Sequence, residues 1–166
     1  TSNKASDVLK KQEGSYTDLY FNYTINQDLR DRKFRTQDGY QTFFSQEVPL
    51  ISDNSEFSNA FEFSKFKKLS TKSDTIGKVS FFAKTITSLS DDVRISKRLN
   101  IPTNKLRGFE KGRVGPIDNN DYVGGNHVTT FNLSATLPNI LEDLDNLDIG
   151  VFFDAANIWG VDYNSS

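Results

Sequence analysis

The sequence has no cysteine and no methionine, one histidine, one tryptophan, four prolines and only six alanines in 166 residues. Without cysteine there is no disulfide scaffold, no thiolate zinc site and no cysteine nucleophile; the absence suits an oxidising compartment. A serine triad would have to use His127, and no G-x-S-x-G, Walker loop or G-x-G-x-x-G occurs. His127 has no second histidine or carboxylate cluster at ligand spacing, so it reads as a polar residue at a strand end. No catalytic residue, metal or cofactor is expected. Long apolar runs are also missing. The longest charge-free stretch, Tyr122 to Leu141, contains Gly124-Gly125-Asn126, Thr129-Thr130 and Pro138, which excludes a transmembrane helix. The net charge is −2 with both signs mixed along the chain, so nucleic acid is not an expected partner. Nothing near Thr1 has the order of a signal peptide, and the chain is expected to be mature, trimmed or a fragment.

What is present is polar and aromatic. Ser, Thr and Asn number 45 together, and aromatics make up 13% of the chain. Such a composition favours strands and turns over helices. From Ser15 to Asn26 the residues alternate, with Thr17, Leu19, Phe21, Tyr23 and Ile25 on one face and Asp18, Tyr20, Asn22, Thr24 and Asn26 on the other, which is strand periodicity. The charged segment Gln27 to Gly39 ends in Asp-Gly and reads as a turn. A second strand is predicted over Tyr40 to Val48, broken by Pro49 and Ser52-Asp53-Asn54-Ser55. A third carries Phe57, Phe61 and Phe63 against Ser58, Glu62 and Ser64, and a fourth spans Thr75 to Thr87. Between Ser88 and Val123 the alternation stops; a connection that long in a compact domain points to function. Strand five is predicted over Val128 to Leu137, a turn over Pro138 to Asn146, and strand six over Leu147 to Trp159.

Six strands of roughly nine to thirteen residues have the length to cross a bilayer at a tilt. Periodicity by itself leaves a transmembrane barrel and a soluble β-sandwich both open. Strand length favours the barrel, because sandwich strands average nearer five or six residues. Tyr16, Tyr40, Phe66 and Trp159 near the strand ends are candidates for interfacial aromatic girdles.

Leu106-Arg107-Gly108-Phe109, then Gly112, Val114-Gly115-Pro116 and Gly124-Gly125-Asn126 entering a strand, resembles the signature loop of the BamA family of outer-membrane assembly factors, the bacterial surface antigen family. Order and spacing carry the resemblance, since the Arg-Gly-Phe tripeptide is weak by itself. Asp28-Leu29-Arg30-Asp31 with Thr36 and Gly39 resembles the family's periplasmic turn, with Arg35 where proline is usual, a change expected to alter stiffness. Val151 to Trp159 resembles the strand whose aspartate, here Asp154, meets the tripeptide arginine inside the barrel. Alternation independently puts Asp154 on the polar face. The family commonly offers a second acid from the neighbouring strand; Ser134 stands at that place, and Glu62 is another lumen acid able to substitute.

The resemblance implies an all-β, antiparallel transmembrane barrel, with residues 1–166 as strands eight to thirteen of sixteen and residues 88–123 as a long extracellular loop folded into the lumen. It implies no enzyme but part of the outer-membrane machinery that folds and inserts β-barrel proteins in a Gram-negative bacterium. The implied partners are nascent barrel proteins, accessory envelope lipoproteins and the lipid bilayer. A related barrel for autotransporter assembly or two-partner secretion, a passive porin or adhesin, and a soluble binding module are the alternatives. An irregular loop in a lumen is physically permitted because no lipid touches it. There Gly108 permits a tight turn, Phe109 can pack on loop or wall, and Arg107 can pair bidentately with a carboxylate. Such a pair contributes about 1.5–3 kcal/mol if sheltered and about 0–1 kcal/mol if water reaches it freely.

Overall fold

A computed structural model describes residues 14–161 except 54, 73, 91, 119 and 139–147. Six long strands form one antiparallel sheet: β1 (Asp18–Asp28), β2 (Asp38–Ser52), β3 (Glu56–Lys68), β4 (Ile76–Ser88), β7 (His127–Pro138) and β8 (Asp148–Trp159), paired in chain order. The two-residue strands β5 (Ile117–Asp118) and β6 (Asp121–Tyr122) make a small hairpin between β4 and β7. Short turns join β1 to β2 and β3 to β4 at one end, and the long 89–126 connection lies at the other. The turn expected over Pro138 to Asn146 falls outside the described residues apart from Pro138, the last residue of β7.

β2 and β7 are longer than sequence periodicity suggests. Pro49 does not end β2: it pairs with Tyr20 across a register shift between Leu19 and Tyr20. A proline has no N–H to give the ladder, and a bulge at that point accommodates it.

Register separates two faces. On one, Ile25, Phe44, Phe61 and Ala83 form a row, and Phe63, Phe81, Phe131 and Ala155 form the next. Leu19, Phe21, Phe61, Phe81, Phe131, Leu133, Val151 and Phe153 are exposed there. A soluble protein seldom leaves so continuous an apolar face uncovered, whereas a barrel exterior requires it. The opposite face carries Ser64, Ser80, Asn132 and Asp154 in one row and Glu62, Phe82 and Thr130 in another. Of the aromatics expected at girdles, Tyr40 and Trp159 lie on the apolar face at opposite ends. Phe66 and Tyr16 do not. Phe66 is one residue out of phase and sits under the Lys78 ammonium on the polar face, 5.3 Å from it, while Tyr16 stacks against the Arg94 guanidinium at 4.6 Å.

The buried apolar cluster lies where the long connection meets the polar face. Val93, Leu99, Ile101 and Leu106 of the loop pack with Ile86, Val128 and Ile158 of β4, β7 and β8. The connection is therefore not structureless. It has a 3-10 turn at Ile95–Lys97, a bridge between Leu99 and Gly125, and the β5–β6 hairpin. Its apolar residues follow no period because they belong to no regular element.

Candidate functional site

The loop leaves β4 through a buried ionic cluster. Glu56, the first residue of β3, has 1% of its side chain exposed and Arg94 has 5%. Arg94 donates from its backbone N–H to Glu56 Oε1 (2.9 Å), and from Nη2 to Glu56 Oε2 (2.9 Å) and Asp18 Oδ2 (2.7 Å). Hydrogen bonding to Glu56, reinforced by Asp18 against the penalty of burial, holds the guanidinium charge even more firmly than usual. Nothing in the sequence pattern marks these residues, which come from three distant segments.

From this root the chain runs over the polar face to Lys105, which pairs with Glu62 of β3 and whose carbonyl accepts from Asn132 Nδ2 (2.7 Å). Two residues on, Arg107 meets Asp154 of β8 in a fork, Nε to Oδ2 at 2.7 Å and Nη2 to Oδ1 at 2.6 Å, and its backbone N–H adds a third bond at 3.1 Å. The guanidinium lies 3.7 Å from the ring centre of Phe152. Planar stacking and a bidentate pair together fix an arginine in a way a lysine cannot reproduce. Asp154 is 4% exposed and Arg107 39%. The hydrogen bonds that Arg107 donates to Asp154 push its pKa up.

Ser134, expected to serve Arg107 as an uncharged second partner, sits opposite Lys78 and Phe152. It lines the same polar cavity as Arg107, of about 180 Å³, but among the described residues the hydrogen bonds of Arg107 go to Asp154. Asn132, one inward position along β7 and directly opposite Asp154, takes the neighbouring place and donates to Asp154 Oδ1 at 2.8 Å. Its amide thus ties loop backbone and wall carboxylate together. Glu62 is engaged by Lys105 instead of Arg107.

The other motif residues position the backbone. Gly108 has φ +85° in open space. Phe109 lies on the loop rather than the wall, 60% exposed beside the loop's own apolar residues. Gly115 has φ +127°, and a Cβ there would lie 2.8 Å from Ile158 Cγ2. The Pro116 carbonyl accepts from the Val123 N–H at 3.1 Å, closing the β5–β6 hairpin. Gly124 and Gly125 pass so close to Leu99 and Trp159 that a Cβ on either would come within 2.6 Å of a carbonyl oxygen. Asn126 is buried, bonded through its backbone to Ile86 and Gly160, and His127 stacks on Trp159 with ring centres 5.6 Å apart.

At the other end, Arg30 grips Asp28 bidentately, both bonds 2.8 Å. Asp31 Oδ1 accepts the N–H groups of Gln37 (3.0 Å) and Asp38 (3.1 Å), closing the turn. These donors outweigh desolvation and hold the Asp31 carboxyl below its usual range. Gly39, φ +101°, runs against the Leu29 carbonyl, leaving no room for a Cβ. Arg35 has φ +49°. Proline cannot adopt that conformation, so the departure at Arg35 changes the path of the turn as well as its stiffness.

The sequence pattern of the Omp85 superfamily domain matches residues 1–166. Among solved structures, the chain is similar to the crystal structure of BamA from Haemophilus ducreyi lacking POTRA domains 1-3, with a TM-score of 0.75 and 21% sequence identity. That match covers 85% of this chain and 30% of the other. At this identity the likeness is one of fold. No curated protein matches the chain in sequence.

Proposed function

Because the chain belongs to the Omp85 superfamily, we propose that it supplies wall strands and the lumen loop of an outer-membrane barrel that folds and inserts other β-barrel proteins. Its partners are then unfolded barrel clients, the bilayer and accessory envelope lipoproteins. The observation that carries this reading is the loop, residues 88–123, pinned to the polar face by Arg107 on Asp154 while the opposite face presents aromatics and aliphatics. A wet, polar inner face and an apolar outer face are what a membrane barrel needs. A loop held by a charged fork, a stacked ring and a buried ionic root is a fixed part of that wall.

In this role the chain does no covalent chemistry. It sets the shape of the lumen beneath the loop, against which an edge elsewhere in the barrel opens to pair with client strands by β-augmentation. The 89–126 loop and the wall strands are joined through both charge and packing. The test is to reconstitute the full-length protein in lipid vesicles, add an unfolded barrel client and follow its conversion to the folded, heat-modifiable form. Faster folding than in empty vesicles is expected. Equal rates refute the reading, and a steady solute flux insensitive to client would identify a passive pore instead.

A further inference from the structure

Among the described residues, the outer face carries a well-formed hollow at the short-turn end of the sheet. The register row Lys67, Gly77, Ala135 and Val151 puts the two smallest side chains side by side, while the next row, Lys65, Val79, Leu133 and Phe153, is bulky. Leu69, in the turn after β3, folds over Gly77, where a Cβ would lie 2.9 Å from Leu69 Cδ1. The result is a groove of about 500 Å³, walled by Leu69, Val79, Leu133, Val151 and Phe153 and floored by Gly77 and Ala135. That volume is in the range of ordinary ligand sites, roughly 300–1,000 Å³.

Three lysines line it: Lys78, whose side chain lies over Phe66 on the polar face, and Lys65 and Lys67 on this one. Lys67 is satisfied by Asp38 at 2.7 Å. Lys65 is different: it is exposed, its register partners are Tyr40 and Val79, neither of them acidic, and the nearby Asp38 is engaged by Lys67. A lysine in such a place extends its stem along apolar surface and carries its charge to the interface, where phosphate is available.

Resting on the membrane reading above, we propose that this groove binds one anionic glycerophospholipid of the leaflet at the short-turn end. The glycerol and first methylenes lie over Gly77 and Ala135, the acyl chain runs on past Val79, Leu133 and Phe153 toward the membrane interior, and the phosphate is held by Lys65, its stem extended toward the turn end. The charge complementarity selects a phospholipid over an apolar protein segment, which would leave Lys65 without a counter-charge. Gly77 and Ala135 are then small because a chain occupies the space above them.

The experiment uses the full-length protein purified in detergent, exposed to phosphatidylglycerol or phosphatidylcholine and read by native mass spectrometry. Flotation with vesicles is a parallel check that the protein enters bilayers. Wild type is expected to retain one phosphatidylglycerol in preference to phosphatidylcholine. Lys65→Gln should lower that retention about fivefold, the effect of removing one lysine from an anionic surface. Ala135→Leu, which fills the groove on a lipid-facing position, should abolish retention of both lipids at this site, and Lys111→Gln in the loop should change nothing. Equal retention by wild type, Lys65→Gln and Ala135→Leu with normal flotation overturns the lipid site and leaves the membrane reading intact. Failure of wild type to float overturns both.

Discussion

Arg94→Met is the most informative single perturbation of the loop root. It removes a guanidinium that gives Glu56 a 2.9 Å bond from Nη2 and two 3.3 Å contacts from Nε, leaving that carboxylate the Arg94 backbone N–H and a long 3.4 Å bond from the Tyr20 hydroxyl. Asp18 suffers less, because it keeps the Ser52 hydroxyl at 2.6 Å and is 15% exposed. Glu56, at 1% exposure, is left as a buried charge without a counter-ion. Truncating one partner of such a pair costs about 3–5 kcal/mol. The lower end applies here, since Glu56 keeps the Arg94 backbone N–H and the Tyr20 hydroxyl as donors. About 3 kcal/mol raises the open population of the loop about 150-fold. Limited proteolysis of the full-length protein, in the regime where loop opening is fast relative to cleavage, reads that population directly. Replacing both charges, Glu56→Leu with Arg94→Met, should cleave more slowly than Arg94→Met, because an apolar pair removes the desolvation cost together with the attraction. Cleavage of Arg94→Met within twofold of wild type, or a double variant no better than the single one, would refute the argument.

Arg107→Ala should loosen the loop tip by roughly 1–2 kcal/mol, the value of a charge-assisted fork discounted for its partial exposure. Arg113→Ala, whose nearest acid is Glu110 at 3.6 Å on an exposed surface, should leave protease sensitivity of the loop nearly unchanged. Asn132→Ala should loosen the loop more than Ser134→Ala, because Asn132 bridges Asp154 and the Lys105 carbonyl; hydrogen exchange across residues 103–109 reads the difference. Gly39→Ala should lower the yield of folded protein sharply, since its Cβ meets the Leu29 carbonyl, whereas Gly108→Ala, in open space, should cost about 1–2 kcal/mol of backbone strain.

Alternation was enough to locate all six long strands and to put Asp154 on the polar face, because a half-wet sheet writes its two faces into every second residue. Position near a strand end misplaced Phe66 and Tyr16 as girdle residues, because it ignores the face: Phe66 is in phase with Ser64 and Glu62 on the polar side, and Tyr16 stacks on Arg94. The motif residues Arg107 and Asp154 were legible through the resemblance and through periodicity together. The partner on β7 was not: alignment with the family's pattern gave Ser134, whereas cross-strand pairing puts Asn132 opposite Asp154. Arg94, Glu56 and Asp18 were invisible because buried charges brought together from sites up to 76 residues apart leave no local signature. The loop core was hidden for a related reason: Val93, Leu99, Ile101 and Leu106 pack through irregular backbone, which has no period to detect.

The central claim is that the loop, docked through Arg107 on Asp154, belongs to a barrel that folds client barrels. The most direct measurement is client folding rate in vesicles carrying the full-length protein as wild type, as Asp154→Arg, and as the exchange Arg107→Asp with Asp154→Arg. The account predicts a rate near that of empty vesicles for Asp154→Arg, where two guanidinium groups face each other, and partial recovery in the exchanged pair. Wild-type folding rates in all three would contradict it.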